Sequence, residues 1–234
     1  MVDVDIKQHM LSTYVWLRRL MALVTGLFLA VLVYYRVEGG EPPRASISAY
    51  YYHNLVDLPM RDVFVATLFA IGLLLIAYQG YTNWENRFLN VGGFALLAVV
   101  FFPMDEPTVA GELSNRARVH YVSALVFFGS LAVVSIFFSR RTLEHETSET
   151  RKKLFERLYM LTGGLMMCVP VVAIALHYGW KLQSTVFWVE FVGVTAFLLY
   201  WVVKSFELQL SRVETVPGVE RLEAEAVTAP DAKK

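Results

Sequence analysis

Residues 184–203 read STVFWVEFVGVTAFLLYWVV, 20 consecutive residues that carry a single charge, Glu190. A helix of that length rises roughly 30 Å, the thickness of the hydrocarbon layer of a bilayer. Five more runs of the same character lie at 16–35, 60–78, 89–102, 119–138 and 158–177. The run at 89–102 is short, and alone it also reads as a buried helix of a soluble domain. Its neighbours decide the matter, because a soluble chain of 234 residues does not carry five other stretches near spanning length at 56% hydrophobic composition.

Strands of a membrane barrel alternate over about ten residues, whereas these runs are apolar all round. Lipid tolerates only backbone whose hydrogen bonds close within the segment, so helices follow. The predicted fold is all-α, a polytopic integral membrane protein with a six-transmembrane-helix bundle over residues 1–212. Residues 213–234, rich in Ala, Glu and Lys with Pro217 and Pro230, hold too few apolar side chains to fold and are expected to form a disordered cytoplasmic tail.

Orientation follows from the 21 Lys and Arg. Fifteen fall on the side of the amino terminus, the second and fourth loops and the tail, among them Lys7, Arg18, Arg19, Arg140, Arg141, Lys152, Lys153 and Lys204; six, Arg36, Arg44, Arg61, Arg116, Arg118 and Lys181, fall on the other. Positive residues concentrate in the cytoplasm, so both termini are expected there and the membrane is expected to be the plasma (inner) membrane. The net charge of zero averages a basic inner face with a more acidic outer one, and no nucleic-acid partner is expected. The Arg18–Arg19 pair reads as a cytoplasmic anchor. Val33-Tyr34-Tyr35-Arg36 has no small-residue cleavage site, so the first run reads as a retained helix rather than a signal peptide.

Other features read as structural. Cys168 stands alone and is assigned to packing; Gly92, Gly93, Gly163 and Gly164 suit close helix contacts, and Pro170 a kink. The loop 139–156 mixes Glu144, Glu146, Glu149 and Glu156 with basic residues, and is expected to be a solvated helix extension held by opposite-charge pairs.

The chemistry gathers on the outer side. There the first loop carries Ser46, Ser48 and Tyr50-Tyr51-Tyr52-His53, Arg61 and Asp62 head the second helix, and Asp105 and Glu106 follow the third. His120 heads the fourth helix with Ser123 and Phe127 on the same face, His177 closes the fifth, and Glu190 lies in the sixth, roughly 9 Å deep if that helix starts at Ser184. An ionised carboxylate inside a span costs about 2–3.5 kcal/mol and faces the bundle interior. Arg61, Asp62, His120 and Glu190 are therefore expected to converge on one outward-facing pocket under a lid of Tyr50 to Tyr52, with Ser48, Ser123 and His177 as further ligand-binding candidates.

Ser46-Ile47-Ser48, Asp62 with Phe64, Asn90 with Gly93, and His120 followed by Ser123-Ala124 and Phe127-Phe128 resemble the Frag/DRAM/Sfk-like group of six-span proteins and its bacterial relatives over roughly residues 45–138. That resemblance implies a six-helix membrane fold and lipid handling, including remodelling of lipid anchors, autophagy or membrane signalling.

The expected function is thus a membrane protein whose pocket binds or senses a lipid headgroup or small ligand, with membrane lipids as partners, homo-oligomers open, and neither cofactor nor metal. An alternative is a membrane-embedded lipid hydrolase or acyltransferase like the CREST superfamily, with Asp62, His120 and His177 on zinc, although the paired His-x-x-x-His of those enzymes is absent. A small transporter is a third reading. Single cysteines at Glu41 and Glu149 test the orientation: a membrane-impermeant reagent added to intact cells should label the first and spare the second, and labelling at Glu149 alone would reverse it.

Overall fold

The computed structural model describes residues 2–38, 44–52, 59–106, 113–146, 148–176 and 183–211. Helices α1 (Val2–Glu38), α2 (Met60–Ala77), α3 (Asn83–Phe101), α4 (Asn115–Val133), α5 (Glu149–Ile174) and α6 (Gln183–Leu210) form the body, and no strand occurs among the described residues. Five of them, all but α3, are long and apolar enough to cross a membrane. The chain is an all-α, multi-pass integral membrane protein. Each run seen in the sequence lies within or close to one helix, and α3 begins six residues before its run because its first turns carry Glu85 and Arg87. The tail predicted at 213–234 lies outside the described residues.

The helices pack in chain order, each against the next, and α6 closes the ring on α1. Outward surfaces are apolar: Leu23 and Leu27 on α1, Phe94 on α3, Val122 on α4, Leu161 on α5 and Phe206 on α6 are all more than half exposed. Lipid covers such a surface; water does not. Cys168 also faces outward, so its expected packing role is corrected: the α5 face that meets α4 and α6 is built instead from Gly163, Met166 and Val169.

Small residues set the closest contacts. A Cβ on Gly93 would lie 2.8 Å from the Gly72 carbonyl oxygen and 2.7 Å from Ile76 Cγ1, so α2 and α3 touch backbone to backbone there. Gly163 does the same for α5, where a Cβ would meet Ile136 Cγ1 at 2.5 Å. By contrast Gly164, one residue on, has open space around it. On the side facing α5, α4 continues into a π-helical turn, Val134–Phe138, and the Ser135 hydroxyl donates to the Tyr159 carbonyl at 2.9 Å.

Loop 139–156 departs from the solvated extension expected of it. Only its last part is helical in α5; before that a 3₁₀ turn, Arg141–His145, buries Thr142 and Leu143. Among the described residues the opposite-charge pairing appears between Arg151 and Glu146, at 2.9 Å.

Two apolar clusters result. One, built on Met21, Leu75, Leu131, Tyr159, Phe197 and Trp201, fills the ring from its middle to the end holding the start of α1 and the end of α6, here called the basic face. The other, with Phe28, Leu32, Ile47, Tyr50, Met60, Phe64 and Phe187, seals α1, α2 and α6 near the opposite face.

Gly93→Leu should lower stability in detergent by about 1–3 kcal/mol, because the added atoms enter a filled contact. Gly164→Ala should be neutral or stabilise by up to about 1 kcal/mol. Equal denaturation midpoints for the two variants would contradict the α2–α3 contact described.

Candidate functional site

Near the opposite face the ring does not fill its own axis. Side chains from all six helices and from segments 45–52, 104–106 and 113–116 line a cavity of about 710 Å³. Phe28, Phe64, Leu68, Leu96, Phe127 and Val194 give it apolar walls; Ser46, Ser48, Tyr52, His120 and Glu190 give it a polar side.

The polar side is assembled by hydrogen bonds to an irregular segment, 44–52, that ends in the 3₁₀ turn Ser48–Tyr52. Its backbone has polar groups that no regular ladder satisfies, and in a membrane protein they must be met internally. Helix α6 meets two of them. Phe187 N–H donates to the Ala45 carbonyl at 2.9 Å, and one turn deeper the Glu190 carboxylate accepts from Ile47 N–H at 2.6 Å and from Ser48 N–H. Glu190 is enclosed by protein yet keeps part of its surface open to the cavity it lines. Among the described residues no Lys or Arg pairs with it.

Helix α4 meets the segment from the other side. Its first turn is fixed by Ser114, whose hydroxyl accepts from Ala117 N–H at 3.1 Å, a cap that satisfies an otherwise open donor. Asp105 in turn accepts from the Ser114 N–H at 2.9 Å and from its hydroxyl. Those hydrogen bonds favour the charged carboxylate and hold Asp105 below the usual carboxyl range. Six residues after this cap stands His120, 3% exposed. Its Nδ1 lies 3.0 Å from the Phe102 carbonyl oxygen and its Nε2 3.1 Å from Ser48 Oγ. A carbonyl only accepts, so Nδ1 carries the hydrogen, and Nε2 shares a hydrogen bond with the Ser48 hydroxyl.

Tyr52 completes the wall by donating from its hydroxyl to the Met104 carbonyl at 2.6 Å, and burial raises that phenol above its ordinary range. Tyr50 is buried against Phe187, and Tyr51 packs edge-on against Phe64 and Tyr52. Of the three tyrosines expected as a lid, only Tyr52 lines the cavity.

The structure therefore brings Ser48, His120 and Glu190 to one cavity and leaves other candidates out of it. Arg61 and Asp62 are exposed on α2, with the Arg61 guanidinium 5.7 Å from the Tyr51 ring centre. Residues 61 and 62 start α2 on its outer surface, while Met60 and Phe64 take its buried face. Ser123 is buried one turn after His120 without lining the cavity. His177 lies outside the described residues. No group of three or more His, Cys, Asp and Glu gathers among the described residues.

A second polar cluster was not anticipated. Near the basic face Lys204 Nζ sits 2.6 Å from Thr142 Oγ1 and 3.2 Å from Glu207 Oε2, both charged side chains being at most 1% exposed. The Tyr159 hydroxyl donates to the same Glu207 oxygen at 3.0 Å, and the Ser139 and Tyr200 hydroxyls pair at 3.1 Å. Arg18, expected to be a solvated anchor, is 1% exposed and donates to the Tyr78 hydroxyl at 3.2 Å; its neighbour Arg19 is exposed beside Trp16. The signal available in the sequence was the spacing of Lys204 and Glu207, three apart on one face of an apolar helix.

A family model described as a protein of unknown function (DUF998) matches residues 20–204, from the middle of α1 to Lys204 in α6. No curated protein and no solved structure matches the chain.

His120→Phe keeps the ring but strips both hydrogen bonds, leaving the Phe102 carbonyl and Ser48 short of a partner. It should cost about 1–3 kcal/mol in detergent denaturation. An unchanged midpoint would show that His120 does not hold segment 44–52.

Proposed function

The chain belongs to the DUF998 family of proteins of unknown function, and we propose that it is a membrane binding protein whose cavity receives a single-chain portion of a lipid or a similar amphiphile. The observation that carries this reading is the cavity itself: about 710 Å³, bounded by all six helices, apolar over most of its wall and polar where Ser48, His120 and Glu190 meet. Ligand sites share that composition and span roughly 300–1,000 Å³. An acyl or alkyl chain would lie against Phe28, Leu68, Leu96, Phe127 and Val194, with its headgroup at the polar side. The basic-residue asymmetry supports an orientation with that side away from the cytoplasm. The likeness of residues 45–138 to the Frag/DRAM/Sfk-like group points toward lipid handling as well.

A second reading has one specific observation in its favour. Ser48 Oγ and His120 Nε2 are 3.1 Å apart with the far ring nitrogen oriented by a carbonyl, a geometry shared with nucleophile and base in acyl-transfer enzymes. The surroundings weigh against it. An acyl oxyanion needs free N–H donors, yet Ile47 and Ser48 N–H serve Glu190 and Ala49 N–H serves Ser46. A carboxylate so placed also opposes a second negative charge. A fluorophosphonate probe should therefore leave Ser48 unlabelled.

Binding is tested on the full chain in maltoside detergent with nitrobenzoxadiazole-labelled dodecanol. Ala124 lines the cavity, and Ala124→Trp should fill it and weaken the probe at least tenfold, about 1.4 kcal/mol. Equal binding by a folded Ala124→Trp variant would place the probe elsewhere and end the cavity reading.

A further inference from the structure

The chemistry of the cavity's polar side narrows the ligand, an inference that rests on the binding reading above. Glu190 accepts backbone N–H groups from Ile47 and Ser48 on one side and keeps part of its surface open to the cavity. A cation is the partner this cavity-facing carboxylate lacks, since no Lys or Arg pairs with it among the described residues. His120 does not serve, since its two ring nitrogens are taken up by Phe102 and Ser48. Arg116 is the single Lys or Arg among the described cavity-lining residues, and it is exposed at the rim together with Glu106. Asp105, also on the lining, is committed to Ser114. The charged lining is thus three carboxylates to one guanidinium.

The walls add a second, independent preference. Tyr52, Tyr121, Phe64 and Phe128 all line the cavity. Aromatic faces attract a desolvated cation, and clusters of them recognise ammonium groups. We propose that the cavity takes an amphiphile with a cationic ammonium headgroup, held by Glu190 and surrounded by these rings, in preference to a neutral or anionic one. Arg61, expected from sequence to join the pocket, is outside the cavity, so no Lys or Arg lies deep among its described lining residues.

The test uses the full chain in maltoside with labelled dodecanol bound, displaced by three amphiphiles of equal chain length: dodecyltrimethylammonium, dodecylglycerol and dodecyl phosphate. The wild type should release the probe at roughly tenfold lower mole fraction of the ammonium compound than of either other, and Glu190→Gln should abolish that advantage, read within the variant as the ratio of the ammonium compound to dodecylglycerol. If Glu190→Gln fails to fold, Glu190→Asp, which keeps the charge, should retain the preference, and the wild-type order stands as the test on its own. Equal potency of the three, or an advantage for the phosphate, overturns the ammonium assignment and leaves the cavity reading intact. Failure of the labelled dodecanol to bind the wild type at all overturns both.

Discussion

A carboxylate placed roughly 10 Å along a membrane-spanning helix must be solvated by something. In this protein that solvent is backbone. Glu190 takes the N–H of Ile47 at 2.6 Å, and one turn nearer the helix start the Phe187 N–H returns the favour to Ala45. Each partner answers the other's need: the irregular segment could not enter the bundle with its N–H groups open, and the carboxylate could not sit in the helix without them. The same segment then reaches His120 through Ser48 and the α3–α4 connection through Tyr52. Remove the Glu190 contact and the wall of the cavity has no anchor on α6.

The ring explains why there is a cavity to wall. Helices packed mainly as a ring, each on the next and α6 on α1, leave an axis that side chains must fill. Toward the basic face large aromatics do so, with Tyr78 edge-on to Trp201 at 5.3 Å and Tyr200 to Trp201 at 5.0 Å. Beneath them Lys204, Glu207, Thr142 and Tyr159 form a buried polar cluster. A buried pair of this kind adds little net stability, but deleting one partner leaves an uncompensated charge and costs about 3–5 kcal/mol. The cluster ties α5 and α6 to the loop before α5, so one end of the ring is locked while the other keeps open volume.

The spans were legible because apolar composition over 20 residues has one physical solution in lipid. Glu190 and His120 were legible for a related reason: a polar side chain in such a run must face inward, and both do. Arg61 and Asp62 were not resolved, since adjacent residues on a helix are about 100° apart and a polar pair at a helix start satisfies water as readily as a site. Lys204 and Arg18 misled in the other direction. Basic residues at the ends of apolar runs usually snorkel to the interface, and only the fold shows that hydroxyls from Thr142 and Tyr78 draw these two inside. The role of Ser48 depends on a contact spanning 72 positions, which no local pattern encodes.

An experimental structure of the full chain in a lipid nanodisc tests the account most directly. It should show elongated density in the cavity between α2, α4 and α6, with its polar end at hydrogen-bonding distance of the Glu190 carboxylate and Ile47 still donating to that carboxylate. A structure with Glu190 turned to the bilayer, or with the cavity closed by its own side chains, would contradict it.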